Sequence, residues 1–228
     1  MERWKNQIAG VLSRAGLSPN VSTCCGFSLA AAAGFFVYKG WFLWAGGLLL
    51  LSGFFDLMDG AIARLSNRVS PFGGILDSSL DRYGDGFVLG ALLFYCLFQG
   101  NTVSAFLAIS SLWGSFMISY VRARAECVIP ECRVGFWERG ERLVALALGF
   151  FVGNAGLVLW VLAVGTHWTA LHRLLYAYHR LKAEEKPLGK AAVVWNLLSR
   201  PKDRTSLPYF WKAALLSLAI FFIRAPLP

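Results

Sequence analysis

The sequence predicts an all-α integral membrane protein, with six transmembrane helices preceded by an N-terminal amphipathic surface helix. Of its 228 residues, 57% are hydrophobic and 15% are charged, whereas about a quarter of the residues in a soluble domain are charged. Two long segments carry no charge, Val21–Tyr38 and Gly86–Val121, and about 20 apolar residues are enough to cross a bilayer. Soluble, disordered, collagenous and disulfide-rich secreted proteins are therefore excluded, and no length remains for a separate globular domain.

Three segments of different character divide the chain. Residues 1–18 have the pattern of a short amphipathic helix lying on the membrane surface, without the apolar core of a signal peptide. Residues 19–183 are expected to form the six-span core. Residues 184–228 are predicted to be a basic C-terminal extension with a short apolar helix, Leu207–Ile223. We interpret that helix as interfacial, with a seventh span as the alternative.

The spans follow from the apolar runs and from the breaks between them. The first span is Val21–Tyr38, and Asn20 is expected to cap the start of its helix. Polar or glycine-containing turns then separate consecutive helices at Lys39-Gly40, Gln99-Gly100-Asn101 and Gly153-Asn154.

The remaining boundaries follow from these turns. The second apolar run starts at Trp41, and the third and fourth helices share the run that ends at Val121. The fifth and sixth helices lie within Leu143–His172, and the sixth continues to about Lys182.

The basic residues predict the orientation. With a cytoplasmic N-terminus, the outer turns carry a single lysine, Lys39, and the inner segments carry nearly all other Lys and Arg, as expected when cytoplasmic loops are positive. We therefore predict a protein of the cytoplasmic (inner) membrane. The net charge of +9 is assigned to contacts with anionic membrane lipids, not to nucleic acid.

Four carboxylates at the ends of two membrane helices require an explanation, because a charge in the bilayer is costly. Asp56 and Asp59 share one face of the second helix, and Asp77 and Asp81 share one face of the third. A turn near Ser70 folds one helix back on the other, so all four are expected to converge. Hard oxygen ligands suit Mg²⁺ or Mn²⁺, and a pair of such ions is typical of displacement at phosphorus. Solvated loop aspartates are the alternative.

The spacing of these residues is more specific than the carboxylates alone. Eight positions match the motif of the CDP-alcohol phosphatidyltransferase family without a departure: Asp56, Asp59, Gly60, Ala63, Arg64, Gly73, Asp77 and Asp81. The chain resembles this family over roughly residues 15–183. The resemblance implies a CDP-linked lipid donor such as CDP-diacylglycerol, an alcohol acceptor, release of CMP, and often a homodimer. It also implies that Asp81 is the general base and leaves diacylglycerol and archaeal ether lipids open as donor backbones.

Donor contacts are expected around this motif. Gly60, Ala63 and Gly73 leave room for a nucleotide, and Arg64 can hold a diphosphate oxygen. The resemblance adds a short motif at the start of the first helix, formed by Pro19, Asn20, Val21 and Ser22. It also adds Ser70, for which a purely structural role in the turn is the alternative.

The acceptor is expected to be phosphorylated. Ser78, Arg82 and Asp85 resemble the family members that use inositol phosphate, so myo-inositol 1-phosphate is the predicted acceptor and glycerol 3-phosphate the alternative. A phosphate needs a basic pocket, for which five arginines are candidates, with membrane anchoring as the other explanation: Arg122, Arg124, Arg139, Arg142 and Arg173. A transporter or proton relay is the alternative of a different class, and it predicts carboxylates scattered at midplane depth.

Overall fold

A computed structural model describes residues 2–14 and 16–185 of the chain. Every regular element within them is an α-helix, as predicted. The predicted extension, residues 184–228, lies outside the described residues except for the last two residues of the final helix. The helices are α1 Glu2–Arg14, α2 Pro19–Tyr38, α3 Phe42–Leu65, α4 Pro71–Phe98, α5 Thr102–Ala125, α6 Arg139–Val152 and α7 Ala155–Glu185.

The three predicted turns between helices are confirmed. Each contains a glycine in the left-handed region of backbone conformation, with φ of 76° at Gly40, 72° at Gly100 and 72° at Gly153. A residue with a side chain is strained there. Glycine therefore permits one helix to end and the next to start after a linker of only two or three residues. The hairpins α2–α3, α4–α5 and α6–α7 are built in this way.

The predicted cap of the first long helix is wrong by two positions. Ser18, not Asn20, is the N-cap of α2, and its Oγ accepts a 3.3 Å hydrogen bond from the Val21 backbone N–H. Pro19 occupies the first helical position, where its missing N–H costs nothing. Asn20 consequently lies inside the first turn with its side chain exposed.

The helix α4 starts with the same Ser-Pro pair. Ser70 is its N-cap and accepts a 3.0 Å hydrogen bond from the Gly73 N–H, and Pro71 follows. The turn that returns α4 against α3 is therefore fixed by local chemistry.

Within the described residues, three helices are long and apolar enough to cross a membrane: α2, α5 and the Ala155–Lys182 part of α7. The helices α3 and α4 have 24 and 28 residues but carry the carboxylates. The 14 residues of α6 extend about 21 Å, less than the roughly 30 Å of a bilayer core. The chain is an integral membrane protein, whereas its six spans stay a prediction.

Close packing of α2 on α3 and α4 places the functional residues. A Cβ atom at Gly34 would lie only 2.8 Å from the Phe87 carbonyl oxygen, so α2 and α4 touch through their backbones, as small residues permit in membrane bundles. About two turns earlier in α2, Ser52 Oγ of α3 donates a 2.8 Å hydrogen bond to the Gly26 carbonyl oxygen. These contacts fix the depth of α3 and α4 relative to α2.

The remaining helices surround this trio. The helix α5 packs against α4 and α7, and α6 packs against α3 and α7. The amphipathic helix α1 packs on α3, where Ala9 joins a buried cluster with Met58, Ala61 and Ile62. The helical part of the surface-helix prediction is confirmed, and its position on a membrane stays a prediction.

Candidate active site

Three carboxylates from two helices form the centre of the site. Asp56 and Asp59 of α3 and Asp77 of α4 each offer an oxygen, and these oxygens lie within 4.8 Å of one another. Asp59 is buried, and the other two are half-buried. The hairpin turn at Ser70 is what brings the two helices, and hence the three carboxylates, together.

The chemistry of this cluster fits a divalent cation. Oδ1 of Asp77 is buried and has no hydrogen-bond partner among the described residues, and a buried, unsatisfied carboxylate oxygen is costly. The donor set consists only of hard oxygens, which suit Mg²⁺ or Mn²⁺. The cofactor prediction therefore fits the structure at Asp56, Asp59 and Asp77.

A hydroxyl from a third helix orients the most buried of these carboxylates. Thr23 of α2 is buried, and its Oγ1 donates a 2.8 Å hydrogen bond to Oδ2 of Asp59. The same oxygen lies 3.1 Å from the Pro19 carbonyl. Sequence reasoning missed Thr23, although its place one residue after the Pro19–Ser22 motif was a signal for it.

Asp81 lies beside the three-carboxylate cluster and does not join it. Arg139 at the start of α6 separates them: its Nη1 is 2.6 Å from Oδ1 of Asp56 and 2.8 Å from Oδ1 of Asp81. One guanidinium therefore bridges a member of the cluster to the predicted base. The expected convergence of four carboxylates at one point becomes three carboxylates with a fourth linked through an arginine.

A fifth carboxylate forms the next layer. Asp85 is buried one helical turn after Asp81, and its Oδ2 lies 2.6 Å from Nη2 of Arg142. Its Oδ1 lies 3.9 Å from Nε of Arg139. Sequence reasoning noted Asp85 without giving it a site role, although the spacing of four residues from Asp77 to Asp81 to Asp85 places all three on one face of α4.

The predicted donor residues meet where α2 and α4 begin. A Cβ atom at Gly73 would lie 3.1 Å from Ser70 Oγ and 3.4 Å from Asn20 Oδ1, so these three residues are neighbours. At Gly60 a Cβ atom would meet nothing nearer than Nη1 of Arg64, at 3.4 Å, which leaves this face of α3 open beside an exposed guanidinium.

Other residues that were predicted to bind the donor lie elsewhere or make contacts between helices. Ser22 is buried, and its hydroxyl donates to the Phe55 carbonyl oxygen at 3.2 Å, which serves the contact between α2 and α3. Val21 is exposed, and Ala63 is half-buried. The donor roles of Pro19, Val21, Ser22, Ala63 and Ser70 stay predictions.

Four of the five candidate arginines fall into two groups. Arg139 and Arg142 lie at the carboxylates, and Arg142 also donates to the Trp137 carbonyl oxygen at 3.2 Å. Arg122 pairs with Glu126 at 3.0 Å, and Arg124 is exposed at the end of α5.

Arg173 holds the connection between α5 and α6. Its guanidinium, buried to 2% exposure, donates to the Val134 and Ile118 carbonyl oxygens, both at 2.8 Å, and to Glu138 Oε1 at 2.9 Å. Three of its five N–H groups thus have protein acceptors. Because Glu138 caps α6 immediately before Arg139, Arg173 anchors the segment that presents Arg139 and Arg142.

The same connection buries a thiol. Cys132 has no exposed surface, and burial raises the pKa of its thiol above the ordinary value. At neutral pH it is a neutral packing group.

Comparison with known proteins extends this description. A family model described as CDP-alcohol phosphatidyltransferase matches residues 17–172. The archaetidylinositol phosphate synthase of Methanothermobacter thermautotrophicus is 35% identical over 183 residues, covering 77% of this chain and 90% of that protein. The phosphatidylinositol phosphate synthase of Mycobacteroides abscessus is 34% identical over 178 residues, covering 74% and 81%.

Solved structures agree. Crystal structures of phosphatidylinositol phosphate synthase from Mycobacterium tuberculosis superpose with a TM-score of 0.70 at 30% identity. One has CDP-DAG bound and corresponds to 77% of this chain and 94% of that chain. Another is a complex with manganese and citrate and corresponds to 76% and 88%.

Proposed function

This chain belongs to the CDP-alcohol phosphatidyltransferase family and is an enzyme of that class, and from that premise we propose that its acceptor is myo-inositol 1-phosphate. It transfers the phosphatidyl group of a CDP-linked lipid to an alcohol and releases CMP in phospholipid synthesis. The proposed product is phosphatidylinositol phosphate.

One observation supports the phosphorylated acceptor more than any other: one guanidinium contacts the predicted metal-binding carboxylates directly, and a second lies behind it. Nη1 of Arg139 contacts Asp56 and Asp81, and Arg142 lies behind it on Asp85. An acceptor hydroxyl must approach this same point, and a phosphate on that acceptor would find forked, permanently charged donors there. An unphosphorylated alcohol would offer them only neutral hydroxyl oxygens, which form weaker hydrogen bonds than a phosphate does.

The similar proteins support the same acceptor. The two relatives reported above are named for lipids that contain inositol phosphate, archaetidylinositol phosphate in one and phosphatidylinositol phosphate in the other. CDP-diacylglycerol is the proposed donor, and an ether-lipid CDP donor is the alternative that the archaeal relative keeps open.

The proposed reaction is a direct displacement. The acceptor hydroxyl oxygen forms a bond to the lipid-bearing β-phosphorus, the bond from that phosphorus to the bridging diphosphate oxygen breaks, and CMP leaves with that oxygen. Asp81 accepts the hydroxyl proton, and no covalent enzyme intermediate forms. Asp56, Asp59, Asp77 and Asp81 would hold two Mg²⁺ or Mn²⁺ ions, which when bound supply charge neutralisation of the diphosphate and polarise the phosphorus.

Two different sets of residues are proposed to bind the donor and the acceptor. Asn20, Gly60, Arg64 and Gly73 are proposed to bind the CDP part of the donor along the open faces of α2, α3 and α4. The predicted arginine pocket, with Arg139 and Arg142 at its centre and Arg122 and Arg124 beyond them, is proposed to orient the acceptor phosphate. Arg173 is proposed to act indirectly, because its guanidinium is bound to protein acceptors and anchors the segment that carries Arg139 and Arg142.

Location and assembly complete the proposal. The enzyme is proposed to lie in the cytoplasmic membrane with six spans and its site facing the cytoplasm, as the distribution of its basic residues indicates. A homodimer is proposed because members of the family are often homodimers. Residues 1–18, 19–183 and 184–228 are proposed as surface helix, catalytic core and extension.

A panel of acceptors tests the proposed function. Purified wild-type enzyme in detergent micelles receives CDP-diacylglycerol or its ether-lipid analogue together with inositol 1-phosphate, glycerol 3-phosphate or free inositol, and lipid products are identified by mass spectrometry. Phosphatidylinositol phosphate as the main product is expected. A product made from glycerol 3-phosphate or from free inositol in preference would contradict the assignment.

A further inference from the structure

Asp85 is the one buried carboxylate of this site that the family motif does not include. It is 7% exposed, and both of its oxygens face arginines that come from α6. The ion pair with Arg142 is short, 2.6 Å between Oδ2 and Nη2, and Oδ1 faces Nε of Arg139 at 3.9 Å.

Arg139 depends on this carboxylate for its orientation. Its Nε is buried without a hydrogen-bond partner among the described residues, so the charge of Asp85 is what lies opposite that end of the guanidinium. The other end bridges Asp56 and Asp81. Gly84 provides the space, because a Cβ atom there would lie 3.3 Å from Nη2 of Arg139.

Arg142 depends on Asp85 more strongly than Arg139 does. The guanidinium is buried to 5% exposure. Among the described residues it also donates a 3.2 Å hydrogen bond to the Trp137 carbonyl oxygen, which carries no net charge. A buried ion that loses its partner is strongly unfavourable. Without Asp85, Arg142 has to turn toward water or toward the carboxylates that Arg139 contacts.

We propose that Asp85 is a positioning residue, which holds Arg142 and Arg139 in the orientation that receives the phosphate of the acceptor. The inference rests on the proposed function, since it needs a phosphorylated acceptor. Asp85 itself touches neither substrate. It acts only through the two arginines, so its loss should affect acceptor binding and leave donor binding unchanged.

Asp85→Asn tests this at constant shape, because the amide keeps an acceptor oxygen for Arg142 but removes the charge. Rates of CMP release are measured with inositol 1-phosphate and CDP-diacylglycerol varied separately. The acceptor KM should rise about tenfold or more, as a lost charge-assisted contact predicts, while the donor KM stays within about twofold of wild type. Glu131→Gln, which breaks an exposed ion pair of 3.1 Å with Arg133, should change neither.

A double variant separates positioning from a general loss of structure. If Asp85 acts through these arginines, then Asp85→Asn should raise the acceptor KM less in an Arg142→Gln background than in wild type, because only Arg139 is then left to be positioned. The double variant also leaves no unpaired buried charge at this pair, so a folding defect caused by Asp85→Asn alone should be relieved in it. Multiplication of the two effects on acceptor KM, or an equal rise in donor KM, would overturn the inference.

A failure of the proposed function can be distinguished from a failure of the inference about Asp85. If wild-type enzyme turns over only unphosphorylated acceptors, the proposed function fails before any variant is made, and the Asp85 inference falls with it. If wild type uses inositol 1-phosphate but Asp85→Asn leaves acceptor KM unchanged, only the inference about Asp85 is overturned.

Discussion

Thr23 on α2 and Asp59 on α3 are joined by a buried hydrogen bond of 2.8 Å, from the threonine hydroxyl to a carboxylate oxygen of the metal-binding cluster. The bond restricts how Asp59 can turn and therefore which of its oxygens faces Asp56 and Asp77. Partners of this kind, which bind no metal themselves, commonly tune the affinity of a metal site.

Thr23→Val should weaken divalent-cation binding, because it keeps the side-chain shape and removes only the donor. We expect a loss of about tenfold or more in Mn²⁺ affinity, measured by electron paramagnetic resonance of free Mn²⁺ in a titration of detergent-solubilised enzyme. Thr23→Ser retains the hydroxyl and is the matched control. Equal Mn²⁺ affinity in the valine and serine variants would show that the hydrogen bond does not orient Asp59 for metal.

Asp81→Asn should separate binding from turnover. Asp56, Asp59 and Asp77 form a cluster without Asp81, which is linked to it through Arg139, so these three carboxylates should still hold metal and donor when Asp81 loses its charge. Turnover should fall about a hundred- to ten-thousand-fold, as for a lost general base, while CDP-diacylglycerol binding measured by calorimetry stays near wild type. A parallel loss of donor affinity and turnover would instead mean that Asp81 is simply a metal ligand and not the base.

A substitution at Arg124 tests whether this residue contacts the acceptor phosphate or anchors the protein at the membrane surface. It is exposed at the end of α5, so Arg124→Gln should raise the acceptor KM about tenfold, at the lower end of the range for a charge-assisted contact. Arg133→Gln removes an exposed arginine paired with Glu131 and serves as control. If both variants have the acceptor KM of wild type, Arg124 belongs to the membrane-facing charges.

Packing of α2 on α4 predicts opposite outcomes for two glycines. Gly34→Ala places a Cβ atom 2.8 Å from the Phe87 carbonyl oxygen, and overpacking of this kind typically costs about 1–3 kcal/mol. At Gly47 of α3 nothing lies within 4 Å of the new atom, so alanine there should be neutral or stabilising through helix propensity. Thermal unfolding of both variants in detergent decides between them, and equal midpoints would contradict the close approach.

Local chemistry explains what the sequence could predict. The glycine turns at Gly40, Gly100 and Gly153 and the all-helical class depend on residues near in sequence, and they are confirmed. The family assignment is also confirmed, because the motif depends on spacing within two adjacent helices. The misplaced cap at Asn20 has a local cause too: Ser18 and Pro19 form the stronger start signal.

Contacts between distant elements could not be predicted in the same way. Arg139 follows Asp56 by more than eighty residues, and nothing local indicates that its guanidinium would separate Asp81 from the other carboxylates. Arg173 illustrates the same limit, since only the folded connection provides the Val134 and Ile118 carbonyl oxygens that bind it. The carboxylates cluster where α3 ends and α4 begins, not along a transport path, so the transporter alternative has no support.

The central claim is that Asp56, Asp59 and Asp77 form a divalent-cation centre for transfer to inositol 1-phosphate. The most direct measurement is CMP release from CDP-diacylglycerol and inositol 1-phosphate by wild-type enzyme in Mg²⁺ or in EDTA, beside Asp77→Asn in Mg²⁺. We predict release by wild type in Mg²⁺ only, restored when Mg²⁺ is added back after EDTA, and none by Asp77→Asn. Undiminished release in EDTA, or wild-type rates from Asp77→Asn, would contradict it.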